Sequence, residues 1–450
     1  MRLFCVLFCA FAATCLGAAS LGAATNPTTV TFNKHVAPIL QKNCQGCHRP
    51  GEAAPMSLLS YKEARPWAKA IRQAVLNKRM PPWFADPAHG VFRNDRSLAK
   101  ADIDTLAAWA DTGAREGDKA DAPPPVQFLQ GWNIGKPDVV FEMPNAYQVP
   151  ASGTIEYQYI VLPTNFKEDK WVQMAEVRPG NRAVVHHVIA FIREPGSKWM
   201  KDAQPGVPFV PPSKRPGAQP QPQGQRRDED GMGGEFLVGY APGTMPEVLE
   251  PGRAKLIKAG SDIVFQMHYT ANGKAQSDQT HIGLTFARQP VKERVMTLAV
   301  ANNKFVIPPG DPAHRVDAKL PFHGEATLIG LLPHMHLRGK SFEYRLVRED
   351  GAKETLLNVP RYDFNWQLSY YPKQPIALKP GMTLEATAHF DNSANNPANP
   401  DPKAEVRYGD QSWEEMMFGF FDIAFDVNKN PADLLRDPKK KPAAGARTGD

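Results

Sequence analysis

Cysteine is scarce in this sequence. The chain of 450 residues has five cysteines, and three of them fall within the first 15 residues. Residues 48–450 contain none, so a fold braced by several disulfides is excluded for most of the chain. The remaining pair, Cys44 and Cys47, is too close in sequence to form a scaffold and indicates a chemical role.

Long apolar runs and a strong charge of one sign are also lacking. After the N-terminus no segment approaches the roughly 18 apolar residues of a membrane helix, so we expect no stable membrane span. The net charge of +6 is small for this length. Since the basic residues form no stripe, we expect no nucleic-acid partner.

The N-terminus has the pattern of a secretory signal peptide. Arg2 precedes an apolar run from Leu3 to Leu16, and small residues follow as far as Ala24. This pattern is typical of a cleaved export signal, which we place at residues 1–24. A lipoprotein anchor at Cys15 is the alternative. The predicted location is therefore periplasmic or secreted.

The close cysteine pair belongs to the run Cys44-Gln45-Gly46-Cys47-His48. A C-x-x-C-H motif attaches haem through two thioethers and offers the histidine as the proximal iron ligand. The rival interpretations are a thioredoxin-type redox pair and half of a zinc site. The first expects a βαβ context and the second expects another C-x-x-C, and the sequence has neither. We therefore predict one covalent haem c.

The segment around this motif resembles the class I c-type cytochromes. Apolar residues recur at helical spacing before the motif, around Val36, and again well after it, around Leu106. In that class two such helices cross over the haem, and a methionine between them ligates the iron. The resemblance implies Met80 as the distal ligand, with Met56 as the competitor.

The rest of the chain favours β structure. Proline is abundant, with 43 residues, and short apolar runs alternate with turn residues. The predicted fold class is a small all-α cytochrome c domain followed by two antiparallel, jelly-roll-like β-sandwich domains. The predicted segments are the cytochrome domain at 25–120, a linker at 121–135, β domains at 136–290 and 291–430, a flexible insertion at 204–234 and a disordered tail at 431–450.

The second β region holds a histidine pair. His334 and His336 lie in an alternating run from Ala326 to Leu346 that predicts a strand. Residues two apart on a strand share a face, so both imidazoles can bind one metal ion. Met416 adds a thioether, and two imidazoles with a soft sulfur suit copper better than zinc. Two polar surface histidines are the alternative.

The first β region holds three further histidines. His186 and His187 are adjacent, and His268 lies in a separate run. Neighbours on a regular strand face opposite ways. A shared metal therefore requires a twist, a bulge or coordination through different ring nitrogens, and without such a distortion these histidines are structural.

Taken together, the motifs resemble those of the copper type II, or ascorbate-dependent, monooxygenases, the family of the peptidylglycine alpha-hydroxylating and dopamine beta-monooxygenases. The similarity covers residues 136–430 and extends to Gln266. The family's four motifs appear here in their usual order as His186-His187, His268-Tyr269, His334-Met335-His336 and Glu415-Met416.

The resemblance implies two coppers, one on each of two domains that face each other across a water-filled cleft. It assigns the electron-storing copper to His186, His187 and His268. It assigns the copper where oxygen and substrate meet to His334, His336 and Met416, with Met417 as the adjacent alternative to Met416. The candidate catalytic residues are Met416, His334, His336 and Gln266.

The predicted function is hydroxylation of a C–H bond of a small molecule with O2. An external donor would reduce the haem, and the haem would pass electrons to copper; whether ascorbate is used stays open. Leu332, Phe418 and Phe420 stand where peptide-amidating members hold polar anchors, so we expect a substrate without a bound carboxylate.

The alternative function is non-catalytic. It is a periplasmic haem and copper protein that transfers electrons or binds copper. Copper carriers usually display clustered methionines, and this sequence has no Met-x-x-Met repeat. The sequence therefore favours the enzyme.

Overall fold

The structure is a computed structural model, and it describes residues 30–52, 54–128, 131–211 and 233–438. The predicted signal peptide lies outside the described residues, as do most of the insertion predicted at 204–234 and the end of the predicted tail. That tail begins with a 3-10 turn, Pro431–Leu434, whose Leu434 is buried. Within the described residues, no helix is long and apolar enough to cross a membrane.

Short helices form the N-terminal part. They present apolar residues three or four positions apart to a small core, which places Val36, Leu106 and Trp109 out of contact with water. The helices are α1 (Ala37–Asn43), α2 (Tyr61–Ala64), α3 (Ala68–Leu76) and α4 (Lys100–Asp111), with a π-helical turn at Phe32–Val36 and 3-10 turns at Arg65–Trp67 and Lys119–Asp121.

Strands form the rest of the described chain. Those before residue 290 are β1 (Val139–Glu142), β2 (Tyr147–Val149), β3 (Gln158–Pro163), β4 (Lys170–Arg178), β5 (Val185–Arg193), β6 (Glu235–Tyr240), β7 (Glu247–Val248), β8 (Arg253–Ile257), β9 (Asp262–Tyr269), β10 (Gln276–Asp278) and β11 (His281–Phe286). Those after residue 290 are β12 (Glu293–Asn302), β13 (Val306–Ile307), β14 (His314–Pro321), β15 (Ala326–His334), β16 (Gly339–Val347), β17 (Lys353–Val359), β18 (Ile376–Leu378), β19 (Thr383–Phe390), β20 (Val406–Arg407) and β21 (Met417–Asp426).

One large sheet runs through both β regions. Its order is β1-β11-β4-β8-β12-β21-β15-β18, with β7 beside β4. The sheet β3-β9-β5-β6 packs on its first half and the sheet β14-β19-β16-β17 on its second half, each over its own apolar core. The halves join where β8 pairs in parallel with β12, at Arg253 and Glu293. Two further sheets have two strands each, β2 with β10 and β13 with β20.

The predicted fold class is wrong. Strands make up 35% of the structure and helices only 12%, and no small all-α cytochrome domain is evident in the described part of the chain. The longest helix, α4, has 12 residues. The two β regions also share a sheet and are not separate sandwiches.

The physical reason for this error lies between α3 and α4. Phe84 and Phe92 leave the helical core and are buried in the core of the second β region. Trp83 and Phe92 pack there against Tyr370, with ring centroids 4.8 and 5.6 Å away. Helical periodicity on either side of this stretch gave no sign that its aromatic rings belong to another core.

This packing generates a stability prediction. Phe92→Ala should lower the free energy of unfolding by about 3–4 kcal/mol, because it leaves a cavity against two aromatic rings. The neighbouring Val91 is 69% exposed, so Val91→Ala should change it by about 0.5 kcal/mol or less. Denaturant unfolding measures both, and equal effects of the two variants would contradict the shared core.

Candidate metal centre

A β-bulge brings the first three histidines together. β5 and β9 pair Val185 with Tyr269 and His187 with His268, and the register shifts between these pairs. His186 is therefore the extra residue of a bulge, which bends the strand and lets adjacent side chains turn towards the same face. One ligand atom from each of His186, His187 and His268 lies within 4.8 Å of the other two.

These imidazoles meet through the same kind of nitrogen. His187 Nδ1 lies 3.2 Å from His186 Nδ1 and 3.4 Å from His268 Nδ1. A neutral imidazole carries one N–H, so a proton on His187 Nδ1 can serve only one of its two neighbours. A metal ion among the three nitrogens would satisfy all of them, and the residues therefore fit such an ion.

Burial keeps this group neutral. Together with the nearby His334, it lowers the pKa of His186 to about 4. Burial, reinforced by the neighbouring histidines, also holds the pKa values of His187 and His268 well below their usual range. Because metal ligands must be unprotonated, this environment preserves the lone pairs that a metal needs.

The second histidine pair lies at the end of a strand. The sequence predicts one strand through both residues, but β15 ends at His334 and β16 begins only at Gly339. His336 lies in the connecting turn, and the centroids of the two rings are 5.2 Å apart. Met335, between them, points away into the core and is fully buried.

Hydrogen bonds fix the ring nitrogens of this pair. His336 Nδ1 donates to the carbonyl oxygen of Glu414 over 3.2 Å, and His334 Nδ1 donates to Gln367 Oε1 over 2.7 Å. Each ring therefore keeps an unprotonated Nε2. Within the described chain, His336 Nε2 is buried without a hydrogen-bond partner, which is the state of a ligand atom prepared for a metal.

Burial also lowers the pKa values of this pair, to about 4 for His334 and about 3 for His336. A proton added to either ring would be buried without a compensating partner. Both imidazoles are therefore neutral in the folded protein near neutral pH, as metal ligands must be.

A buried carboxyl group, that of Glu415, holds the turn that carries His336. Glu415 accepts hydrogen bonds from the backbone N–H of His336, over 2.8 Å, and of Arg338, over 2.6 Å. Arg338 is itself buried and donates to Asn392 Oδ1 over 2.7 Å. Burial raises the pKa of Glu415 to about 8, although both backbone donors oppose this rise. Because Glu415 directly precedes Met416 in the chain, its hydrogen bonds link the turn of His336 to this methionine.

Met416 and Met417 point in different directions. Met416 is half-buried and lines a pocket together with His187 and His334. Met417 begins β21 and is fully buried in the core of the second β region. The methionine thioether that faces the histidines is therefore that of Met416.

One ring contacts both histidine groups. Phe364 stacks on His186 with centroids 4.8 Å apart, and its centroid is 6.0 Å from that of His336. His187 of one group and His334 of the other both line the same pocket.

Aromatic residues form most of the wall of this pocket. Gln266 also lines it and donates to Tyr159 Oη over 2.6 Å. The aromatic lining residues are Tyr157, Tyr159, Phe191, Trp199, Tyr408, Phe418 and Phe420. None of the lining residues that the structure describes is Lys or Arg, so the pocket provides no cationic side chain for a carboxylate.

The C-x-x-C-H motif follows α1 directly. The backbone N–H groups of Cys47 and His48 donate to the carbonyl of Cys44, which brings all three side chains onto one turn. Both thiols are free, and burial raises their pKa values, that of Cys44 to about 12. His48 Nδ1 donates to the carbonyl of Met56 over 3.3 Å, which leaves Nε2 unprotonated. Two neutral thiols and a bare imidazole nitrogen fit covalent haem attachment.

The two candidate distal ligands occupy different places. The carbonyl of Met56 lies behind the His48 ring, on the side opposite Nε2. Met80 follows α3 and is half-buried. In the described chain, no hydrogen bond joins Met80 to the turn of Cys44, Cys47 and His48.

Three residues that contact or position the histidines could not be predicted from the sequence. Phe364 and Gln367 lie in the loop between β17 and β18 and belong to no motif, and Arg338 follows the histidine pair without a metal-binding group. Only Glu415 had a visible signal, since it precedes Met416. Its role as an acceptor for the turn of His336 required the structure.

Comparisons with known proteins assign no family. No protein-family model matches the chain, and no curated protein matches it. A structure of infectious bursal disease virus, Gx strain, is 8% identical and covers 66% of this chain and 74% of that one, with a TM-score of 0.17. A protein of Eubacterium rectale described as secreted is 10% identical, with coverage of 60% and 70% and a TM-score of 0.18. Values this low assign neither fold nor function.

The buried histidines predict a pH dependence of stability for the metal-free protein. An unfolded histidine takes up a proton near pH 6.5, whereas folded His334 does so only near pH 4. Between these values the unfolded state binds more protons, so stability should fall as the pH falls from about 6.5 to 4. His334 alone would contribute on the order of 3 kcal/mol. Denaturant midpoints measure this, and a constant midpoint across that range would contradict it.

The carboxylate of Glu415 generates a second prediction. Glu415→Gln places an NH2 group against one of the two backbone donors, so copper affinity at His334 and His336 should fall about 10–100-fold. Competition titration with a copper chelator measures the affinity. Glu405→Gln is the control, because Glu405 is 51% exposed and pairs with Arg407 at the surface. Equal affinities of the two variants would show that Glu415 does not support the site.

Proposed function

We propose that this protein is a copper-dependent monooxygenase that hydroxylates a C–H bond of a small molecule with O2. The observation that carries the proposal is that His187, His334 and Met416 line one aromatic pocket. Two neutral histidine groups and a thioether suit copper. The order of the motifs, which resembles that of the copper type II monooxygenases, supports the same reaction.

The metal sites have different ligand sets. His186, His187 and His268 would hold one copper through nitrogen alone, a set suited to storing an electron. His334, His336 and Met416 would hold the other, beside the pocket where a substrate fits. Bound copper would supply one-electron redox chemistry and activation of O2, and a haem at Cys44, Cys47 and His48 would supply further electrons one at a time.

The protein's own residues would orient the substrate and exclude water. The aromatic wall would bind an apolar group by contact with ring faces and edges. Gln266 is held by Tyr159, which fixes the direction of its amide towards the pocket. Phe418, Phe420 and Leu332 occupy positions where a carboxylate-binding enzyme needs polar groups, so we infer a substrate that is not anchored through a carboxylate.

Export to the periplasm or beyond is part of the proposal. Two features of the sequence support it: the C-x-x-C-H motif for covalent haem attachment and the signal-peptide pattern of residues 1–24. The proposed partners are O2, a small-molecule substrate and an external electron donor to the haem.

The function is tested with two matched variants. Met416→Leu removes the thioether from the pocket, so product formation should fall about 100-fold or more. This loss exceeds the roughly 10–100-fold loss of activity that is usual when a residue that only supports a metal ligand is changed. Met417→Leu makes the same change in the core and should retain activity. Reduced, copper-loaded protein is given labelled O2 and a metabolite extract, and mass spectrometry detects products that carry one labelled oxygen.

The same experiment distinguishes the proposed monooxygenase from the non-catalytic alternative. If the wild-type protein binds copper and haem and exchanges electrons but yields no labelled product from any extract, the protein is an electron-transfer or copper-binding protein. Equal product yields from both methionine variants would remove Met416 from the reaction.

A further inference from the structure

The turn with the two cysteines contacts the first β region through a shared carboxylate. Glu52 pairs with Arg49 over 3.0 Å and also with Arg182. Arg182 lies four residues before His186, in the turn that leads into β5. The side chains of Glu52 and Arg182 are only 14% and 17% exposed, so water weakens this ion pair less than one at the surface.

Tyr240 lies between the cysteine turn and the three-histidine group. The Arg182 guanidinium lies over its ring, 5.7 Å from the centroid. Burial raises the pKa of Tyr240; the Arg182 charge opposes this rise, and Glu52 and Cys47 reinforce it. Tyr240 ends β6 and pairs with Val188, the neighbour of His187. Tyr240 and His187 line one cavity.

A second contact joins the N-terminal segment to the first β region. Arg96 Nη1 donates to the carbonyl of Gly243 over 2.7 Å, and the charge of Arg96 acts on the Cys47 thiol. A side chain at Gly243 would meet the ring of Trp366, since an added Cβ would lie 3.1 Å from it. The N-terminal segment is therefore attached to the first β region at two points, by Arg96 at the loop that follows β6 and by Glu52 at Arg182, in the turn before β5.

We propose that this contact is the electron entry port of the metal centre, with Tyr240 as the connecting side chain and Arg182 as the residue that holds the two parts together. The inference rests on the proposed function, because it needs a haem at the cysteines and a copper at the histidines. A thioether makes Cys47 Sγ a covalent extension of the haem edge, so the side chains against Cys47 are the protein groups nearest to that edge.

The transfer itself is simple. A ferrous haem held by Cys44, Cys47 and His48 would give up one electron and become ferric, and a cupric ion held by His186, His187 and His268 would take that electron and become cuprous; no proton would move and no bond would be made or broken. The route would cross one pair of adjacent strands, about 4.8 Å apart. An external donor would then reduce the haem again.

Arg182→Gln tests the port, and the chain offers a matched control. Arg178 also pairs with a glutamate, Glu176, over 3.2 Å, lies over an aromatic ring, Trp132, at 5.8 Å, and is 21% exposed. It lies away from the cysteine turn. Oxidation of photoreduced haem by cupric protein is followed by its absorbance, and Arg182→Gln should slow it about tenfold, whereas Arg178→Gln should not.

Tyr240→Leu is the second variant, since it removes the ring but keeps both charged groups of the Glu52–Arg182 ion pair. It should also slow haem oxidation, while the absorbance spectrum and midpoint potential of the haem stay as in the wild type. The two arginine variants are also compared by a measurement that needs no metal. In the cofactor-free protein, hydrogen exchange at residues 44–52 should increase in Arg182→Gln and stay unchanged in Arg178→Gln.

The outcomes are distinguishable. Wild-type protein that binds haem and copper but transfers no electron between them would overturn the proposed function and this inference together. Fast transfer in the wild type that is unchanged in Arg182→Gln and Tyr240→Leu would overturn the port alone. Equal hydrogen exchange in the two arginine variants would show that Arg182 does not hold the interface.

Discussion

Burial of neutral histidines is the constraint on which the centre depends. Five imidazoles are withdrawn from water around Phe364, and their lowered pKa values follow from that withdrawal. A buried imidazole nitrogen without a partner costs free energy. Nδ1 atoms of three rings face one another in one group, and in the other a bare Nε2 of His336 faces no described donor. A bound metal ion removes this cost.

The sheet architecture sets these positions without disulfides. β15 and β21 are neighbours in the large sheet, so His334 and Met416 leave adjacent strand ends. β5 and β9 are neighbours in the sheet above, which brings His187 opposite His268. The parallel pairing of β8 with β12 ties the two regions into one sheet. Backbone hydrogen bonds therefore fix the residues within each group, and packing of the sheet β3-β9-β5-β6 on the large sheet sets the position of one group relative to the other.

The sequence identified histidines that the structure brings together, whereas the predicted fold class is wrong. Short motifs are local, so His186, His187, His268, His334 and His336 could be singled out from spacing and from the resemblance. A bulge was one of three ways in which His186 and His187 could share a metal, and its presence at His186 depends on the register with β9. The positions of Phe364 and Gln367 depend on long-range packing. The all-α prediction failed for the same reason, because Phe84 and Phe92 are buried far from their neighbours in sequence.

The two histidine groups have different surroundings, which supports different proposed roles for them. The three-histidine group lies next to Tyr240 and the cysteine turn, and it has no thioether. The pair with Met416 lies beside the aromatic pocket, and its His336 contacts Phe364. An electron that entered near Cys47 would therefore meet the all-nitrogen group first. Only the second group combines a thioether with a pocket of aromatic side chains, and for this reason we propose oxygen chemistry there.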